Sequence, residues 1–201
     1  MKLKVSIIVP YVKDRGWLNE AIRSVEIQTY RNFELILSRG RKYRGGNLND
    51  GIIKSTGEFI KPLDEDDMLL TDCIEKYVRA IGDNDFIHGN AIYYLNKPKD
   101  IYVPPITSPT FAQLAKKNVI SNPSVMYRRD LFTRIGFFDE SLYRSEDFEF
   151  HLRALHKGCK LGYINEALVY YRLHHNQETG KNNVDAERRN KLRKKIILKY
   201  L

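Results

Sequence analysis

An acidic run at residues 64–67 constrains this chain more than any other feature of its sequence. The four carboxylates directly follow the segment 58–63, which has the character of a short buried strand. So much negative charge at the end of a buried strand is costly unless a positive group lies beside it. Because successive strand residues point to opposite faces, Asp64 and Asp66 share one face and can hold a hard divalent cation, Mg²⁺ or Mn²⁺. The alternative is a solvated acidic turn before a helix that starts near Thr71.

The first forty residues predict the class of fold. The β-branched run at 5–9 is typical of a strand buried on both faces of a parallel sheet. An amphipathic helix around 18–25 follows it, and 33–37 reads as a second strand. This order predicts an α/β fold with a doubly wound, mostly parallel sheet flanked by helices. Ligands bind such sheets beyond the carboxyl ends of the strands, so the segments 10–11, 38–40 and 64–67 should share one edge.

Later segments extend this pattern. A Gly45-Gly46 turn is expected to lead into a helix at 47–55, which Gly57 would end. Ser145 is expected to cap a helix at 146–155, whose first-turn acids the helix dipole favours. Further helices are expected at 71–81 and 111–117, and short strands at 85–87, 92–94, 101–103, 124–127 and 168–172.

Length and composition set the class of protein. The 201 residues suit one domain with a full hydrophobic core. No apolar run approaches the about 20 residues that a membrane-spanning helix needs. Cys73 and Cys159 are isolated, without metal-ligand spacing or a disulfide framework, which favours a reduced, cytoplasmic protein.

The net charge of +9 is concentrated in two stretches. Residues 39–44 carry four basic side chains, and residues 185–201 carry seven against two acids. Local patches of this kind indicate contacts with phosphates or a membrane surface more than a general nucleic-acid face. We expect residues 1–183 to form the domain and 184–201 to form a basic helix. With Leu192 and Ile196 at helical spacing, that helix can pack on the domain, on a second subunit of a homodimer, or peripherally on an anionic membrane.

Taken together, these segments resemble the family 2 glycosyltransferases, which have the nucleotide-diphospho-sugar transferase (GT-A) fold. The resemblance spans roughly residues 3–175 and is carried by six segments in order, at 5–10, 21–30, 49–52, 57–67, 145–147 and 171–174. The stretch from Gly40 to Asn49 is short for that family, which implies a compact, minimal version of a single GT-A domain.

The resemblance implies an inverting sugar transfer from a nucleotide-sugar donor. Asp64 and Asp66 match the DxD pair that holds Mn²⁺ or Mg²⁺ on the donor diphosphate, and His174 matches a position that reaches the metal or the phosphates. Asp147 matches the catalytic base, with Glu146 beside it. It would take the proton of an acceptor hydroxyl as that oxygen attacks the anomeric carbon.

The implied nucleotide site combines matches and departures. Pro10 and Tyr11 match a loop that lies against the nucleobase, where Tyr11 can stack. Asn49 and Glu65 are the other residues expected to bind the donor nucleotide. The family usually ends its second strand with an acidic residue that reads the base, whereas this chain has Ser38 and Arg39 there. Ser38 can still accept a base N–H, and Arg39, Arg41 or Arg44 can bind the diphosphate.

Competing interpretations stay open on the sequence alone. The leading one is a metal-dependent inverting glycosyltransferase that uses a UDP- or GDP-sugar and a glycan, lipid-linked or protein acceptor. The second is a non-catalytic nucleotide or sugar binder, suggested by the missing base-reading acid. A nucleotidyltransferase on a related fold is a further alternative. A nucleic-acid-binding protein is suggested only by charge, and we expect no such partner because the predicted site edge is acidic and no recognition module is present.

Overall fold

The computed structural model describes residues 3–40, 43–95, 108–174 and 183–201. The strands are β1 (Val5–Tyr11), β2 (Phe33–Arg39), β3 (Phe59–Pro62), β4 (Met68–Leu69), β5 (Phe86–Tyr94), β6 (Val125–Arg128) and β7 (Leu161–Arg172). The helices are α1 (Leu18–Glu26), α2 (Arg44–Lys54), α3 (Cys73–Ala80), α4 (Phe111–Lys116), α5 (Arg129–Ile135), α6 (Glu146–His156) and α7 (Asn183–Leu198), with a 3₁₀ turn at Asn122–Ser124.

In the described residues, all seven strands form one sheet in the order β2-β1-β3-β6-β5-β7-β4. β1 pairs in parallel with β2 and β3, and β5 pairs in parallel with β7. β6 lies antiparallel between β3 and β5, and β4 is antiparallel to β7. Five strands therefore run in one direction, which confirms the predicted mostly parallel α/β fold and brings their carboxyl ends to one edge.

Two hydrophobic cores cover the two faces of the sheet. Side chains alternate along β1, so that Ile8 packs into one core with α2, α5 and α6, whereas Ile7 and Val9 pack into the other with α1 and α3. Because each face of β1 is buried, its continuous apolar run was a reliable strand signal.

Two predicted glycine roles were wrong. Gly45 and Gly46 lie inside α2, which begins at Arg44, and a Cβ on Gly45 would lie 3.3 Å from Glu146 Cγ. Gly57 does not end that helix, which is followed by Ser55; a Cβ there would lie 2.7 Å from the Lys4 carbonyl oxygen. Both residues are small because another element passes close by, and the sequence pattern does not distinguish this reason from a turn.

The second half of the sheet also differs from the prediction. The two short strands expected around 85–94 are one strand, β5, with a register shift next to Gly89, where a Cβ would lie 2.5 Å from Leu168 Cδ1. α5 was not predicted, and β7 begins seven residues earlier than the expected strand at 168–172. The strand predicted at 101–103 lies outside the described residues.

The basic C-terminal helix α7 packs on the domain. Ile196 is buried in the core beside α6, and Leu192, Ile197 and Tyr200 pack around it. The Tyr200 hydroxyl donates a hydrogen bond to Glu149 of α6. Among the described residues, no helix is both long and apolar enough to cross a lipid bilayer.

Candidate active site

A cleft of about 710 Å³ opens where the codirectional strands end. Its walls come from the segments that follow β1 and β3, the start of α6, the end of β7, and Arg189 and Arg193 on α7. A concave site of this size can enclose much of a cofactor-sized ligand. The predicted residues Pro10, Tyr11, Arg44, Asp64, Glu65, Asp66, Glu146 and Asp147 all line it.

Arg44 connects the two acidic segments of the cleft. Its Nε donates to Asp64 Oδ1 at 2.5 Å and its Nη1 to Glu146 Oε1 at 3.0 Å. With its amide oxygen turned toward the guanidinium, Asn122 accepts a third hydrogen bond at 2.8 Å. Burial alone would lower the pKa of Arg44, but the carboxylates of Asp64 and Glu146 raise it above its ordinary value. A charged guanidinium therefore joins the end of β3 to the start of α6.

Asp66 and His174 form the other half of the predicted metal site. Asp66 Oδ2 lies 2.9 Å from His174 Nε2, and the indole ring of Trp17 packs against the imidazole with ring centroids 4.4 Å apart. The Nε of Arg172 donates to the Asp66 backbone oxygen at 2.9 Å, which ties the end of β7 to the acidic turn. Residues more than 100 positions apart are thus fixed beside one another.

The remaining two acids of the run are held by other partners. Glu65 accepts a hydrogen bond from Arg15 Nε at 2.8 Å. Asp67 is buried and accepts the Arg172 backbone N–H at 2.9 Å. Below the turn, the fully buried Lys61 donates to the backbone oxygens of Pro62 and Pro123. Each acid therefore has its own local role, and the run is not a solvated turn.

Negative charge is concentrated at this end of the cleft. Burial raises the pKa of Asp64, Glu65 and Asp67, and repulsion between neighbouring carboxylates raises it further. Burial also raises the pKa of Glu146 to about 7, although the Arg44 guanidinium opposes this shift. A cation that binds beside carboxylates with raised pKa values stabilises their charged form, and so stabilises the site.

Asp147 lies in the first turn of α6 and faces the same cleft, partly exposed. The residue before this helix is not the side-chain cap that we predicted. Ser145 has φ of +62° and makes no side-chain capping hydrogen bond. It is the only non-glycine residue with positive φ in the described parts of the chain. Left-handed backbone in a residue with a Cβ is strained, and such strain is typical of functional sites.

Three predicted nucleotide-binding residues do not line the cleft. Ser38 is buried beneath α2, with its Cβ 3.4 Å from the position of a Cβ on Gly51. Arg39 is exposed at the end of the edge strand β2. Asn49 is buried and exchanges hydrogen bonds with the Phe138 backbone through its amide, which fixes the loop before α6. The structure does not bring these three together with the acidic residues.

The cleft is less acidic than predicted. Among the described residues that line it are six carboxylates and seven basic side chains. The basic residues that we did not predict for the site are Lys13, Arg15, Arg144, Arg172, Arg189 and Arg193. They come from loops, from the end of β7 and from α7, and no sequence period brings them together, although Arg172 belongs to one of the six family-like segments.

The residues present fit a hard divalent cation in their chemistry. Asp66 and His174 are close enough to share one ion, and Mg²⁺-type sites commonly use one or two carboxylates completed by substrate phosphates. Asp64, the other carboxylate of the predicted metal-binding pair, is hydrogen-bonded to Arg44 instead. In the described residues, no three acidic, histidine or cysteine side chains form a ready-made ligand cluster. Phosphate oxygens from a ligand would be needed to complete the coordination.

Comparison with known proteins supports the same class. A model of the glycosyl transferase family group 2 matches residues 59–195, more than half of the chain. An uncharacterized glycosyltransferase of Rickettsia conorii is 28% identical over 174 residues, which cover 72% of this chain and 29% of that protein. The uncharacterized glycosyltransferase YwdF of Bacillus subtilis is 30% identical over 182 residues, covering 76% of this chain and 68% of YwdF. The chain thus spans less than a third of the length of the Rickettsia relative.

Solved structures share the fold. TarS 1–349 of S. aureus in complex with UDP-GlcNAc superimposes with a TM-score of 0.71 at 18% identity, over 87% of this chain and 60% of TarS. The mannosyltransferase PcManGT of Pyrobaculum calidifontis, in complex with GDP-Man and Mn²⁺, gives 0.62 at 14% identity, over 85% of this chain and 57% of PcManGT. At this identity the likeness concerns the GT-A fold. The match to the family model, together with the similarity to YwdF, shows that the chain belongs to glycosyl transferase family group 2.

Proposed function

We propose that this protein is a metal-dependent, inverting glycosyltransferase that moves a sugar from a nucleoside-diphosphate donor to an acceptor hydroxyl. The observation that carries the proposal is the meeting of Asp66 and Asp147 in one cleft, with His174 in contact with Asp66 from outside the residues that line it. Family membership supplies the reaction class, and the cleft supplies the chemical groups.

Asp66 and His174 would hold the cation, with Asp64 as a further ligand. A bound cation would supply Lewis-acid stabilisation of the charge that develops on the leaving diphosphate. Arg44 can add a second positive charge on the same leaving group, because it lies against Asp64. Pro10 and Tyr11, at the end of β1, would form the wall beside the nucleobase.

Asp147 would act as general base. It would take the proton from the acceptor hydroxyl while that oxygen attacks the anomeric carbon, and the bond to the diphosphate would break on the opposite side. A single displacement of this kind inverts the anomeric configuration. Glu146 is buried and paired with Arg44, so it would position the start of α6 and would not exchange protons with the acceptor.

Both uridine and guanosine diphosphates are candidate carriers. TarS binds UDP-GlcNAc and PcManGT binds GDP-Man on the same fold. Ser38 and Arg39 lie outside the cleft lining, so the base would have to be recognised through other groups, such as Tyr11.

Calorimetric titration with UDP, GDP and their sugar conjugates tests the proposal, first with Mn²⁺ and then with chelator. We expect one nucleotide to bind only with metal, and Asp66→Asn to weaken that binding strongly. Asp83→Asn, which removes an exposed carboxylate, is the matched control. Binding that is equal with and without metal would contradict the metal role.

The second candidate function is a non-catalytic nucleotide-sugar binder, favoured by the absence of a base-reading acid at the end of β2. It predicts metal-dependent donor binding without release of the nucleotide to water or to any acceptor. Turnover of the bound donor separates the two functions.

A further inference from the structure

Three arginines line the cleft, and the proposed transfer reaction has no task for them. Arg144 precedes α6, and Arg189 and Arg193 lie one turn apart on α7. We refer to these three residues as the basic wall. They come from two segments far apart in sequence, yet all three line the cleft that contains Asp147.

Two arginines of the basic wall have buried N–H groups without hydrogen-bond acceptors. In the described part of the chain, Arg144 Nε and Nη1 and Arg193 Nε are buried and have no hydrogen-bond partner. Both guanidinium groups lie over aromatic rings, Arg144 over Tyr143 at 4.8 Å and Arg193 over Phe148 at 5.1 Å. The rings hold the two groups in place but accept no conventional hydrogen bond from these atoms. A buried guanidinium with unpaired donors is costly and is satisfied by an anion.

The charges around Arg193 also favour an anion at the basic wall. Burial lowers the pKa of Arg193, and the positive charge of Arg189 lowers it further, while Asp147 opposes the shift. The other end of the cleft is different, because Asp64 and Glu146 are bound by Arg44 and Glu65 by Arg15. The basic wall therefore lies close enough to the proposed base, Asp147, for Arg193 to interact with it electrostatically.

We propose that Arg144, Arg189 and Arg193 bind an anionic group, of phosphate ester type, on the acceptor. The assignment rests on the proposed function, because it takes the hydroxyl that Asp147 deprotonates to belong to this same acceptor. Arginine presents several N–H groups in a fixed plane, and this geometry matches phosphate oxygens. Binding the phosphate at the wall would hold the acceptor hydroxyl near Asp147 and restrict its orientation.

A phosphate ester of this kind has two sources, a soluble molecule or a lipid headgroup. Both sources present a phosphate ester, and the choice of probe distinguishes them. Glycerol 3-phosphate represents the soluble source, and vesicles of phosphatidylglycerol in phosphatidylcholine represent the lipid source.

The first experiment is calorimetric titration of the full chain with inorganic phosphate and with glycerol 3-phosphate, with and without saturating UDP and Mn²⁺. We expect saturable binding in both conditions, weakened about tenfold by Arg144→Gln or Arg193→Gln and lost in the double variant. Arg188→Gln, an exposed arginine on the same helix, should leave binding unchanged. Co-sedimentation with the vesicles, for the same variants, gives the lipid arm.

Each outcome decides the proposal. Loss of binding in the double variant, in the soluble or the lipid arm, supports it and identifies the source. Equal binding by wild type and double variant in both arms overturns it, as does binding weakened equally by Arg188→Gln. Competition between UDP and phosphate overturns the acceptor assignment, because the arginines would then serve the donor. If neither UDP nor GDP binds with Mn²⁺ while phosphate binding still depends on the basic wall, the anion site stands and the transfer function falls.

Discussion

The two ends of the cleft differ in how their charges are matched. At the donor end, which we define as residues 64–67 with Arg44 and His174, each carboxylate has a partner of the chain's own. At the basic wall, Arg144 and Arg193 have buried N–H groups that find no hydrogen-bond acceptor among the described residues. The difference indicates that one end is organised by the fold itself and the other is completed by a ligand.

Replacing Arg44 should destabilise the donor end. In Arg44→Met, the buried carboxylates of Asp64 and Glu146 lose their common partner. We expect the free energy of unfolding to fall by about 3 kcal/mol or more, since removing one member of a buried ion pair leaves uncompensated charge. Denaturant unfolding measures the loss. Arg79→Met removes an exposed guanidinium and should cost below about 1 kcal/mol. Equal losses in the two variants would mean that Arg44 does not organise this end.

Glu146 should give the donor end a distinctive pH dependence. Its pKa is raised from 4.5 to about 7 in the folded protein, so the folded state binds more protons than the unfolded state between these values. The stability that this group contributes is fully present below pH 4.5 and is lost as the pH rises through 7. The loss is about 3 kcal/mol at most.

Glu146→Gln should remove this part of the pH dependence of unfolding, whereas Glu187→Gln, at an exposed site, should keep it. A free energy of unfolding that falls from pH 4.5 to 7 by the same amount in all three proteins would show that Glu146 is not the group responsible.

Lys61 should matter to the donor end through hydrogen bonds more than through charge. Lys61→Met leaves the carbonyl oxygens of Pro62 and Pro123 without their donor, at a cost of about 2 kcal/mol. Burial lowers the pKa of Lys61 from 10.5 to about 8, so wild-type stability should rise between these pH values, and the variant should lack the rise. Lys157→Met, at an exposed position, is the control. Thermal unfolding at pH 8 and at pH 10 compares the three proteins.

Ser145 lies at the boundary between the two ends, and its strain should be measurable. Ser145→Gly should stabilise the protein by about 1 kcal/mol, because glycine adopts positive φ without a steric penalty. Ser145→Ala keeps the Cβ and should show no such gain. If the strain also directs Arg144 and Asp147 into the cleft, the glycine variant should bind phosphate more weakly despite its higher stability.

The donor end could largely be predicted from the sequence, because its key acids are contiguous and follow a strand. Asp64, Asp66 and Asp147 were found through local motifs whose positions the fold then brought together. The roles of glycines 45 and 57 could not be predicted, since they depend on which element passes nearby. Ser38 and Arg39 were assigned by their place at a strand end, but β2 is an edge strand and its end does not reach the cleft.

The basic wall could not be predicted for a different reason. Arg193 was visible only as one charge in a basic tail, and Arg144 has no pattern around it. The placement of Arg193 depends on α7 packing against α6 through Ile196, a tertiary contact that leaves Arg189 and Arg193 facing the cleft. Helical spacing predicted the apolar side of α7, but it did not reveal which surface that side would cover.

The central claim is that Asp147 performs chemistry on a donor held at the acidic end, and turnover of the donor by Asp147→Asn tests it most directly. Release of nucleotide from the nucleotide sugar should be followed with Mn²⁺ for wild type, Asp147→Asn and the exposed control Asp130→Asn. We predict that Asp147→Asn is slower than the other two by about 10²- to 10⁴-fold, with a donor dissociation constant within about twofold of wild type. Unchanged turnover in Asp147→Asn would contradict the account.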